Sequence, residues 1–168
     1  HPVMIPKNHP LATVRDSYNA VYVEGNAVEK TMFYGRGAGA LPTGSAIVGD
    51  IIQAARNIVH NCKARWGCTC YLNLPVLPID EVESKYYVRI CVYDTVGVLA
   101  ALATALTENN ISVDAVIQKR KISDDKAEIV IITYKVRHAD MMAALKAIGD
   151  LDCTYEVSDY IRVEEDED

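Results

Sequence analysis

The 168-residue chain holds a single phenylalanine and a single tryptophan, and its 17 lysines and arginines are outnumbered by 23 acidic residues, for a net charge of -6. Without clustered positive charge, nucleic acid and anionic membrane surfaces are excluded as partners, since both are recognised through basic patches. The ten tyrosines therefore do not form a base-stacking platform. Tyr86, Tyr87, Tyr93, Tyr134, Tyr155 and Tyr160 fall in strand-like stretches, where half-buried positions suit an aromatic body with a wet hydroxyl. There is no long apolar run and no signal-peptide pattern, so a bilayer-spanning segment is not expected and a cytoplasmic location is. Five cysteines, an odd number, read as free thiols. Cys62, Cys68 and Cys70, with His60 nearby, lack the paired spacing of a structural zinc site. No metal is expected. Cys91 and Cys153 read as small core residues in strands. His1, His9, His60 and His138 stand beside no nucleophile or metal pattern and receive no role.

Two halves differ in texture. The first has extended segments at Val3–Ile5, Tyr18–Gly25 and Lys30–Tyr34, with a Gly25-Asn26 turn between the last two. A helix over 42–60 follows, with Ile47, Ile51, Ala54 and Ile58 on one stripe and Val48, Ile52, Ala55 and Val59 beside it, a broad face that needs a partner layer. In front of it lies Tyr34-Gly35-Arg36-Gly37-Ala38-Gly39-Ala40-Leu41-Pro42. Glycines at 35, 37 and 39 permit positive φ and close backbone approach, and the helix start aims unpaired amides at the turn. Gly35, Gly37 and Ala40 match G-x-G-x-x-G/A, but no acidic residue closes a following strand about 20 residues on, as the dinucleotide fingerprint requires. On local pattern the corner is either an anion site or a tight turn into a core helix.

Residues 61–84 read as a linker, with Pro75, Pro78 and acidic residues breaking any period and Trp66 packed against one domain. From Lys85 strands and helices alternate: a strand at Tyr86–Tyr93, a helix at Val98–Thr107 turning Leu99, Leu102, Ala103 and Leu106 inward, a strand at Ile111–Lys119, a turn at Ser123-Asp124-Asp125, and a strand at Ala127–Val136. A helix at Ala139–Ile148 buries Met141, Leu145 and Ile148, and a strand at Tyr155–Val163 closes the set. The order β-α-β-β-α-β is ferredoxin-like, so the fold class is α+β with a partial α/β piece in front. Residues 164–168 form a solvated acidic tail.

The stretch from Val14 to Asn57, carried by Asn19-Ala20-Val21-Tyr22-Val23-Glu24-Gly25, Met32-Phe33-Tyr34-Gly35-Arg36-Gly37-Ala38-Gly39 and Leu41-Pro42-Thr43-Gly44-Ser45-Ala46, resembles the end of the catalytic region of homoserine dehydrogenase. The resemblance implies that Gly37, Ala38 and Gly39 touch NAD(P) in an intact enzyme, and that its nucleotide-binding domain and catalytic lysine lie upstream of His1. Lys7, Lys30 and Asp16 are then surface charges. The fragment alone is expected to be inactive, to bind no cofactor and to associate.

Asp94-Thr95-Val96-Gly97-Val98-Leu99 and Asn109-Asn110-Ile111-Ser112-Val113 resemble the ACT domain, a regulatory module for small amino acids, with Val96 where the family has proline. The resemblance implies effector contacts at Asp94, Gly97, Val98, Leu99, Asn109, Asn110, Ile111 and Gln118, threonine as effector, and a homodimer or higher oligomer. Asp94 is alternatively a helix cap, and one of the two asparagines a helix terminator. The domain division is 1–60 catalytic region, 61–84 linker, 85–163 ACT domain and 164–168 tail. A reading from another class also stands: a non-enzymatic amino-acid sensor whose first 60 residues serve as an oligomerisation arm.

Overall fold

In the computed structural model residues 1–62, 74–123 and 125–164 are described, with the side chains of 119–122 left aside. Trp66, Cys68, Cys70, Asp124 and most of the acidic tail lie outside them. Backbone proximity divides the chain into two compact units, one formed by His1–Pro6 with 76–168 and the other by 7–75.

The larger unit contains β1 (Val3–Met4), β4 (Glu83–Tyr93), α2 (Val98–Glu108), β5 (Val113–Ser123), β6 (Lys126–Thr133), β7 (Val136–Arg137), α3 (His138–Gly149) and β8 (Thr154–Val163). Its sheet runs β1-β8-β4-β6-β5, with β7 paired on the outer end of β4. The four long strands are mutually antiparallel, as the βαββαβ order demands, whereas β1 joins the β8 edge in parallel. The Glu83–Tyr93 strand buries every second residue, Tyr86, Val88, Ile90 and Val92, under the helices. Across it Ala127, Ile129 and Ile131 of β6 meet Leu102 and Leu106 of α2 and Met141, Ala144 and Ile148 of α3 in one core. A period of 2 on the strands and 3.6 on the helices places these apolar groups in a single layer.

Three expectations change here. The inward stripe of α2 is Val98, Leu102, Ala105 and Leu106, while Leu99 is half exposed and Ala103 faces out. The start at Val98 is as expected; a helix this rich in alanine and leucine offers apolar side chains all round, and the sheet takes the face one position away from Leu99 and Ala103. Tyr86 is wholly buried instead of half wet. Its hydroxyl is 2.9 Å from His138 Nδ1, a partner that satisfies the polar tip and gives His138 a structural part. Cys153 lies in the turn before β8, and Cys91 is half-buried, 3.3 Å from the Ser158 hydroxyl.

At the start of α3, Arg137 donates two hydrogen bonds of 3.0 Å to Asp140. These hold the Asp140 carboxyl below the usual aspartate range. A depressed folded value contributes stability above the unfolded value, about 3.9, and that contribution is lost as pH falls through the folded one. Asp140→Asn is therefore expected to lower the melting temperature at neutral pH and to flatten the acid side of the profile, the two proteins converging at low pH. An acid limb as steep as that of the parent chain would refute the pairing.

The smaller unit is a hairpin and a helix: β2 (Tyr18–Gly25), β3 (Glu29–Arg36) and α1 (Ala40–Val59), after a 3₁₀ turn at Pro10–Thr13. The strands pair from Tyr18 opposite Arg36 to Gly25 opposite Glu29, so the loop is Asn26–Val28, closed by Glu29 at φ 53°. Tyr18 and Tyr34 stack with centroids 4.9 Å apart, and the Arg36 guanidinium lies over Tyr18. The expected buried face of α1 is not buried: no residue of the helix is, and Ile47, Val48, Ile51 and Ile52 all stand about half exposed. A two-stranded hairpin supplies too little surface to cover a twenty-residue helix.

Candidate functional site

Two recesses in the larger unit divide the residues that the ACT pattern singles out. The first, about 180 Å³, lies where β4 hands over to α2. Asp94, Gly97, Val98, Leu99 and Gln118 line it, together with Tyr93, Thr95, Ala100 and Ile129. The loop is pinned by its own backbone: the Asp94 amide donates to the Asp125 carbonyl at 2.8 Å and the Thr95 amide to the Tyr93 carbonyl at 2.8 Å. Gly97 then turns the chain into α2 at φ 93°, ψ −6°, an N-cap residue with no side chain of its own to bond the helix start. A Cβ at Gly97 would meet nothing within 4 Å, so glycine is there for its backbone angle and not for space. Val96, at the family's proline position, is fully exposed. The volume falls below the roughly 300–1,000 Å³ of pockets for drug-sized ligands, which suits a single amino acid. Amides at a helix start suit a carboxylate.

The second recess is wider and shallower, about 690 Å³, at the opposite end of α2. Asn110 and Ile111 line it with Thr107, Ser112, Val113 and Tyr134. Both asparagines take part in ending the helix. Asn109 Nδ2 donates to the Ala105 carbonyl at 2.8 Å, and Asn110 adopts φ 57° while the Ile111 amide reaches the Leu106 carbonyl at 3.0 Å, the wrap that closes a helix in a left-handed residue. Asn109 lines neither recess.

Sequence reasoning missed Tyr93, Thr95 and Ile129. The first two flank Asp94 and were within reach of the loop argument, whereas Ile129 arrives from β6 through pairing with Gln118, which no local pattern announces. Beside the loop Lys126 Nζ sits 3.4 Å from the Tyr155 ring centroid and 5.8 Å from that of Tyr93, and the Ser123 hydroxyl holds the Asp125 carboxyl below its ordinary range.

In the smaller unit the glycine corner is exposed from Gly35 to Gly39. Of its glycines only Gly39 has positive φ, 122°, and it opens α1 with no side-chain cap. Gly37 has another reason to be glycine, because a Cβ there would fall 1.7 Å from Asn19 Nδ2. Among the described residues no group of three or more His, Cys, Asp or Glu could hold a metal ion, and no helix is long and apolar enough to cross a membrane.

Comparison with known proteins gives each unit a counterpart. A family model for homoserine dehydrogenase matches residues 1–52, and one for the ACT domain matches residues 86–153. Homoserine dehydrogenase of Corynebacterium glutamicum is 38% identical over 99% of this chain and 37% of its own length. That of Neisseria gonorrhoeae is 40% identical over 98% of this chain and 39% of its own. The crystal structure of a homoserine dehydrogenase from Thiobacillus denitrificans superposes with a TM-score of 0.85 at 32% identity, covering 98% of this chain and 38% of that one. The chain therefore spans well under half the length of these relatives. Taken together, the corner, the βαββαβ unit and these matches mean that the chain belongs to the homoserine dehydrogenase family, as a segment that includes an ACT domain.

Proposed function

We propose that this segment serves a homoserine dehydrogenase in two ways, as part of the wall of its cofactor site and as the module through which an amino acid regulates it. The reaction, NAD(P)-dependent interconversion of aspartate 4-semialdehyde and homoserine, belongs to the whole protein. The corner fits a nicotinamide cofactor: it is exposed, its backbone passes close beside Asn19, and the first amides of α1 carry no side-chain cap. Gly37, Ala38 and Gly39 would hold the cofactor, which when bound supplies the hydride. The chain by itself is expected to oxidise no NADH or NADPH with aspartate semialdehyde.

The observation that carries the regulatory reading is the recess at the β4–α2 junction, where Gly97 opens the helix beside Asp94 and Gln118. L-threonine is the proposed effector, its carboxylate on the amides of Val98 and Leu99 and its ammonium toward Asp94. Asn110 and Ile111, at the far end of α2, serve the same ligand from a second copy. The sheet order favours such a pair, because β1 occupies the β8 edge and leaves β5 open to another chain. Binding throttles the enzyme only through a difference in affinity between two arrangements. Thermal melting with a panel of amino acids tests this. Threonine at about 100 times its dissociation constant is expected to stabilise the ACT unit by roughly 2.7 kcal/mol. A flat response across the panel would remove the effector role and leave the family assignment standing.

A further inference from the structure

The backbone visits the larger unit twice. It starts there as β1, leaves after Pro6 to build the smaller unit, and returns at residue 76 ahead of β4. β1 is short but seated. Val3 and Met4 lie opposite Arg162 and Val163 of β8, and the Glu164 amide donates to the Met4 carbonyl at 2.9 Å. Arg162, only 8% exposed, brings its guanidinium to 2.9 Å from the His1 ring. Pro2 and Pro6 bracket the strand and withhold the amides that would lengthen it, so pairing stops where the chain turns away. β8 in turn pairs with β4 from Val163 opposite Lys85 to Thr154 opposite Val92, two residues before Asp94 opens the effector loop.

We propose that β1 is a coupling strap: an edge strand that docks on β8 and carries changes in the ACT sheet to the homoserine dehydrogenase segment. The regulatory part of this inference rests on the effector reading above. Only Ile5 and Pro6 separate β1 from the first residue of the smaller unit. So short and proline-stiffened a connection transmits a displacement that a long flexible linker would absorb. Coupling between sites requires an element with two arrangements that both sites bias. A two-residue edge strand meets that need, because it can lift off without opening the core, at the low end of local unfolding free energies.

Hydrogen exchange on the full chain tests the strap with three variants. Met4→Pro removes the strand, Met4→Leu keeps it, and Gly-Ser-Gly-Ser inserted between Pro6 and Lys7 leaves it docked but slack. Without ligand, Met4→Pro is expected to speed exchange at the Glu164 amide by about tenfold or more. Met4→Pro and the insertion are both expected to speed exchange over residues 9–25, and Met4→Leu to match the parent chain. Equal exchange over 9–25 in all four proteins overturns the strap, whatever threonine does. With L-threonine, slowed exchange around residues 92–100 is expected in every variant, accompanied by a change over 9–25 only in the parent and Met4→Leu. A threonine response over 9–25 that survives both Met4→Pro and the insertion also overturns it. If threonine protects nothing around 92–100, the effector reading fails, and the ligand-free comparison still decides the strap.

Discussion

Replacing Ile148 by alanine is expected to lower the unfolding free energy of the ACT unit by about 2–5 kcal/mol, read as a fall in the denaturation midpoint at constant slope. Ile148 is completely buried on α3 among the strand residues of the core. Truncation there removes transfer energy and leaves a void between a helix and a sheet that cannot both collapse into it. Against a total stability of about 5–15 kcal/mol, that loss is enough to populate unfolded chains near physiological temperature. Leu102→Ala belongs to the same class, with the side chain almost wholly enclosed under α2. Leu99→Ala is the control. Leu99 is half exposed, so its truncation is expected to cost under about 1 kcal/mol. Equal costs at 99 and 102 would mean that α2 presents a different stripe to the sheet.

Gly97→Val is expected to do two things at once. A valine held at φ 93° bears a backbone penalty of about 1–2 kcal/mol with no compensating contact, since its Cβ meets nothing within 4 Å. Relief of that strain moves the start of α2, and with it the amides proposed to hold the effector carboxylate. The roughly 2.7 kcal/mol stabilisation expected with threonine should vanish. Gly97→Asn is expected to cost less, because asparagine tolerates left-handed backbone better than other residues do. A valine variant that melts like the parent and keeps its threonine response would show that the Gly97 conformation matters to neither.

The βαββαβ order was legible because each long element carries its period over enough residues to be unambiguous. Val88, Ile90 and Val92 alternate with polar neighbours, and Met141, Leu145 and Ile148 recur at helical spacing. The failures have specific physical sources. The stripe of α2 was misphased, although its start at Val98 was right, because a helix of alanine and leucine is apolar nearly all round and its pattern singles out no one face. Tyr86 was placed half in water because tyrosine suits either side of a sheet, and its partner His138 lies 52 residues on. The β1–β8 pairing had no local signal at all: two residues with proline nearby carry no period, and their partners are at the other end of the chain. At the candidate site, the Asp94–Leu99 loop was readable as one unit since its residues are consecutive. Its separation from Asn110 and Ile111 was not, because the length of α2 intervenes and only the folded helix shows that its two ends face different recesses.

The central place of β4 has a consequence for synthesis. Its neighbours β6 and β8 are both made later, and β8 comes after every other strand of the sheet. A growing chain can close the β2–β3 and β5–β6 hairpins early, since they join sequence neighbours. Until β8 leaves the ribosome, however, β4 keeps one flank of unpaired amides and carbonyls, and β1 has no strand to join. Ribosome-bound chains stalled before residue 154 should therefore be the species most prone to pair with one another and most in need of a chaperone.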